Sequence, residues 1–133
     1  MESIEVAVET GRDLLVDVTG DVARFCEGRG DGLVHAFLPH ATAGLALLEL
    51  GSGSERDLAE LLARLLPRDD RYHHRHGSPG HGGDHLLPSL VGPSLMLPVL
   101  HGRLQLGTWQ SVVIVDPNVD NSARRLRLSF LSG

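Results

Sequence analysis

Apolar residues that alternate with polar ones recur from one end of this chain to the other. That period of two constrains the fold more than any other feature of the sequence. Ile4, Val6 and Val8 alternate with Ser3, Glu5 and Ala7, the pattern of a strand with one buried face. After Gly11-Arg12-Asp13, Leu14–Thr19 reads as its hairpin partner. Further strands are expected over Leu33–Leu38, Gly44–Leu50, Leu95–Leu100, Leu104–Leu106, Trp109–Val115 and Leu126–Leu131, with Gly102 and Gly107 marking turns. Val22, Phe25 and Cys26 fall at i, i+3, i+4 and predict a short helix that ends near Gly28 and Gly30. Ser54 with Asp57 three residues on resembles a capping box, and Leu58, Leu61, Leu62, Leu65 and Leu66 keep helical spacing until Pro67. Asp84 is placed to cap another short helix through Val91. Strands dominate, with no regular βαβα alternation, repeat or linker. The expected fold is therefore α+β: a β-rich, antiparallel, jelly-roll-like sandwich with two or three flanking helices, one domain over residues 1–133.

Charge and composition exclude several functions. With 12 Lys+Arg against 17 Asp+Glu, the net charge of −5 makes nucleic acid a poor partner. No run reaches the roughly 18–20 apolar residues of a membrane span. The first residues lack the basic start and apolar block of a secretory signal, so a cytoplasmic location is expected. The single cysteine, Cys26, rules out an internal disulfide and a Cys-rich zinc site. The P-loop, the dinucleotide fingerprint and the GxSxG elbow are all absent.

Histidine carries the strongest chemical signal. Of eight histidines, five lie between Tyr72 and Leu86. Most of these sit in the polar, glycine-rich stretch Arg68–Gly83, which is long for an ordinary connection. The bland reading is a solvated loop that picks up metal adventitiously. The functional one is a metal on three imidazoles, from His74, His85 and the distant His40. Glu49 lies on an otherwise leucine-rich strand, where a carboxylate is costly to bury, so it either sits at the strand end in water or faces a polar site. Asp57 in a helix's first turn stabilises it by about 0.3–1 kcal/mol and needs no other purpose. Trp109 reads as core, with Gln110 beside it able to hydrogen-bond a ligand. Arg124-Arg125 is either a solvated turn or an anion clamp.

Taken in order, His40-Ala41-Thr42-Ala43, Glu49, Tyr72-x-His74, His85-Leu86, Gly102, Leu106-Gly107-Thr108-Trp109-Gln110, Asp116 and Arg124-Arg125 resemble the YjbQ-like family, known as secondary thiamine-phosphate synthases. The resemblance implies a homotrimer with a cleft near the subunit interface. It implies His40, His74 and His85 as metal ligands, Glu49, Asp57 and Gln110 as catalytic groups, and Thr42, Trp109, Arg124 and Arg125 as substrate contacts. It also implies a small phosphorylated substrate. The implied reaction joins a pyrimidine methyl diphosphate to a thiazole phosphate and releases diphosphate. Three imidazoles favour zinc or another transition ion over magnesium. Two alternatives therefore stay open: a metal-dependent hydrolase of a small phosphorylated or ester substrate, and a non-enzymatic metal- or anion-binding trimer. His81 stands where the family tends to carry Asn or Asp, a change able to alter the metal or a neighbour's tautomer. His73, His76 and His101 do not match the family's pattern and are left outside the expected site.

Overall fold

In a computed structural model that describes residues 1–133, strand β7 (Ser111–Val115) explains the layering. Its apolar run is buried on both faces. Val112 and Ile114 point into the main core, and Val113 and Val115 into a second, smaller one. A strand with no polar face needs a layer on each side. On one side lies a five-stranded antiparallel sheet, β1 (Glu2–Glu9), β8 (Ala123–Ser132), β3 (Gly32–Phe37), β5 (Ser94–Leu100) and β6 (Arg103–Leu104), in that spatial order. β7 itself is the centre of a three-stranded sheet between β2 (Leu15–Asp17) and β4 (Gly44–Leu48). The main core fills the space between the sheets, with Val34, Leu97, Leu126 and Leu128 facing Leu45 and Ile114. Helix α1 (Thr19–Cys26) adds Val22, Phe25 and Cys26 to it.

Helix α2 (Ser54–Leu65) covers the other face of the smaller sheet, placing Leu62 with Leu87, Val113 and Val115. The fold is thus the expected α+β, β-rich sandwich with flanking helices.

Three local expectations need correction. Leu15–Asp17 is not the hairpin partner of β1: β1 pairs with β8, in register Ile4↔Leu128, while β2 pairs with β7 in the other sheet. Gly11, at φ 58°, turns the chain between the sheets, and the Thr10 N–H is taken by the Ser122 carbonyl. Ser54 is the first helical residue of α2 rather than its cap, because Gly53, at φ 98°, holds the left-handed N-cap position. Asp84 caps nothing. It ends the one-turn helix α3 (His81–Asp84), entered through Gly80 at φ 83°, and a 3-10 turn, Leu87–Ser89, follows.

Gly44 is where β4 passes closest to the chain leaving that turn. A Cβ there would sit 2.0 Å from the Val91 carbonyl oxygen. Gly20, in α1, has open space around it and an ordinary helical backbone. Gly44→Ala is therefore expected to lower stability by about 2–4 kcal/mol, and Gly20→Ala to raise it by about 0.5–1 kcal/mol. Urea denaturation checks both, and a Gly44→Ala protein as stable as wild type contradicts the close approach.

Candidate metal centre

Two glycines bring the histidines together. A Cβ on Gly82 would lie 2.3 Å from the His74 carbonyl oxygen and 2.7 Å from the Tyr72 Cβ, and one on Gly83 would meet the Tyr72 hydroxyl at 2.8 Å. Because neither has a side chain, α3 packs directly on the Tyr72–His74 segment. The Tyr72 hydroxyl donates to the Pro67 carbonyl at 2.7 Å and ties that segment to the end of α2. His81 and His85, four residues apart, then share one face of the helical turn.

The result is a cluster of four imidazoles, His74, His76, His81 and His85, whose candidate ligand atoms all lie within 4.8 Å of one another. Ring centroids run 4.1 Å from His74 to His76, 4.7 Å to His81, 4.5 Å on to His85 and 4.3 Å back to His74. Both diagonals are 5.8 Å, so the rings form a folded four-sided figure. His81 is buried, His85 half-buried, and His74 and His76 are exposed. The Nε2 atoms of His81 and His85 are 2.7 Å apart and share a proton in a hydrogen bond. A tetrahedral ion with Zn–N bonds of about 2.0–2.1 Å needs donors roughly 3.3 Å apart, so a small outward shift of these rings admits one.

Two groups compete for His81 Nδ1. The Asn118 amide nitrogen is 3.2 Å away and an Asp120 carboxylate oxygen 3.1 Å away. With the ring proton on Nε2, Nδ1 accepts from Asn118. Were Nε2 to hold a cation, the ring proton would sit on Nδ1, where Asp120 is placed to accept it. The Ser78 backbone N–H, which also donates to Asp120, is the largest cause holding that carboxyl below the usual range.

A hydrogen-bonded path continues from here. The Asn118 N–H donates to Asp116 at 3.0 Å, the Thr42 hydroxyl donates to the same oxygen at 3.3 Å, and Thr42 Oγ1 lies 2.9 Å from His40 Nδ1. Asp116 also forms a fully buried ion pair with Arg124 at 2.5 Å.

Of the residues singled out in the sequence, His74 and His85 thus sit in the cluster, while His40 lies at the far end of this path and outside the four. Thr42 is buried in the path. Arg124 is committed to Asp116, whereas Arg125 stands on the outer sheet face near Glu5. Glu49 is exposed and accepts from the Ser52 hydroxyl, and Asp57 is exposed in the first turn of α2. Gln110 closes the 107–110 turn by accepting the Gly107 N–H, leaving Trp109 73% exposed rather than in the core. His76 and His81 enlarge the set read from the sequence. The signal for His81 was present, since two histidines four apart beside a glycine pair are an i, i+4 ligand arrangement.

A small sandwich carrying a histidine cluster on the loop between its helices is the class that fold and site define. The family model of YjbQ-like UPF0047 proteins matches residues 2–133, and the chain belongs to that family. It is 55% identical to the UPF0047 protein Rv2556c of Mycobacterium tuberculosis over the whole of both chains. Among solved structures, the hypothetical protein APE1520 of Aeropyrum pernix matches with a TM-score of 0.88 and 31% identity over 100% of each chain. SSO2532 of Sulfolobus solfataricus, described as a YbjQ-like protein of unknown function, matches with a TM-score of 0.90 and 25% identity, over 99% of this chain and 97% of its own.

These findings correct the expected activity. The descriptions of the family and of these relatives carry no thiamine phosphate synthase activity. The geometry agrees, because the two arginines assigned to the substrate phosphate are engaged elsewhere, one fully buried and one on the outer sheet face.

Loss of hydration among the crowded rings first, and then the charges of neighbouring histidines, holds the His74 and His85 imidazoles below their ordinary value of 6.5. The unfolded chain therefore binds these protons more readily than the folded one. The stability they contribute is present above pH 6.5 and is lost as pH falls through the lower folded values. In metal-free protein the urea midpoint is expected to drop between pH 7 and pH 5, and His85→Gln to flatten that drop. A midpoint that rises with acid in this window contradicts the packing of the cluster.

Proposed function

We propose that this protein binds one divalent transition-metal ion on His74, His76, His81 and His85. One observation carries the reading: four imidazoles have their ligand atoms within 4.8 Å of one another. The donor chemistry supports zinc, nickel or copper, which take imidazole readily, and disfavours magnesium, which prefers oxygen ligands. His81 and His85 are the anchored ligands, on a helical turn held by glycine contacts. His74 and His76 come from the loop and complete the shell. Asp120 is a positioning residue that takes the Nδ1 proton of His81.

Untagged protein incubated with zinc and then dialysed is expected to retain about one ion per chain by elemental analysis. His85→Ala is expected to lose it, and His73→Ala, altering an exposed imidazole outside the cluster, to keep it. Asp120→Asn is expected to weaken zinc binding by about 10–100-fold with an unchanged circular dichroism spectrum. Equal metal in wild type and His85→Ala removes the site.

We also propose that copies associate as a trimer through the outer face of the five-stranded sheet. Leu33, Met96, Leu100 and Leu131 are exposed there, and strand pairing sets Leu33 beside Leu131 on one side and Pro98 on the other. A contiguous apolar patch of this kind is costly to leave in water. Sedimentation equilibrium is expected to give three chains for wild type and one for Met96→Lys/Leu131→Lys. A wild-type monomer, or a variant that still forms trimers, rejects the interface.

A further inference from the structure

A second concave site has Asp84 in its wall and none of the histidines. It is a cleft of about 220 Å³ between α2 and the turn that carries Arg12. The walls are apolar: Leu14, Leu62, Leu66 and Leu87, with Ala59 and Ala63 leaving room along the helix. Four charged groups line it, Arg12, Arg68, Asp84 and Asp116. Three of these are already matched. Asp84, 3% exposed at its side chain, holds Arg68 at 2.5 Å, and Asp116 holds Arg124 from below at 2.5 Å. Arg68 is further occupied by the carbonyls of Pro79 and Pro117. Arg12 takes part in no ion pair or hydrogen bond, so the cleft carries one uncompensated positive charge at its rim.

A pocket that is largely hydrocarbon with one free guanidinium matches a particular kind of ligand. We infer that this cleft binds a small organic anion whose apolar body packs against Leu14, Leu62, Leu66 and Leu87 and whose carboxylate or phosphate head pairs with Arg12. The guanidinium presents paired N–H donors that fit either head bidentately. Binding here goes beyond the metal reading and does not depend on an ion being bound.

The full-length protein, labelled with nitrogen-15 and held at neutral pH, is titrated with octanoate, octyl phosphate and 1-octanol while its amide signals are followed. Both anions are expected to shift the signals of Arg12, Leu14, α2 and Leu87 saturably. The alcohol is expected to bind about tenfold more weakly, the size of one charge-assisted contact near the surface. Whichever anion binds more tightly names the head group. Arg12→Gln is expected to bring the anions down to the level of the alcohol. Ala63→Trp, which fills the cleft from an exposed helix position, is expected to weaken all three ligands at an unchanged melting temperature. The inference is overturned if anion and alcohol bind wild type equally, if Arg12→Gln keeps the preference for anions, or if shifts fail to saturate or map elsewhere.

Discussion

The buried pair between Asp116 and Arg124 is the contact on which the rest of the arrangement depends. Both side chains are wholly enclosed. Removing two charges from water is costly, and the attraction between them offsets that cost only when further hydrogen bonds satisfy the remaining lone pairs. Asp116 accepts from Arg124, from the Thr42 hydroxyl and from the Asn118 N–H, while Arg124 also donates to the Ala123 carbonyl and leaves one buried nitrogen, Nη2, without a partner. Those partners come from three parts of the chain: the start of β8, the turn before β4 and the segment leaving β7. One carboxylate therefore fixes the two sheets relative to each other at the end where the histidines gather. Removing either charge alone from such a pair costs about 3–5 kcal/mol, because the other is left buried and unmatched.

The imidazole cluster depends on this frame through Asn118, which joins Asp116 to His81. It also depends on the absence of side chains at Gly82 and Gly83. Loss of hydration, and after it the charges of neighbouring imidazoles, lowers the proton affinity of His74 and His85. Kept neutral, they form a dense set of nitrogen donors. The fold holds these nitrogen lone pairs close together, where a cation would find them already converged.

Much of the sheet content was legible because a period of two reports directly on a half-buried strand, as in Ile4–Val8 and Leu126–Phe130. Pairing was not, since β1 and β8 lie at opposite ends of the sequence and no local feature encodes which strand sits beside which. The leucine repeat of α2 was readable for the same reason as the strands. Helix α3 was misplaced because one turn of His-Gly-Gly-Asp has no hydrophobic period to read. At the candidate site, residue type pointed to the loop where four imidazoles converge, but convergence is a three-dimensional property. His40 is a good ligand by chemistry, yet the β3–β4 turn directs it to Thr42, whereas His76 and His81 join His74 and His85 through a backbone approach that only glycine permits. Trp109 read as core, yet it belongs to a surface turn closed by Gln110.

The most direct measurement of the central claim is the X-ray absorption spectrum of the zinc-loaded protein. Four converging imidazoles predict nearest scatterers that are nitrogen at about 2.0–2.1 Å, with the outer-shell pattern of three or four histidine rings. A spectrum dominated by water or carboxylate oxygen, with the signature of one ring or none, would contradict the account.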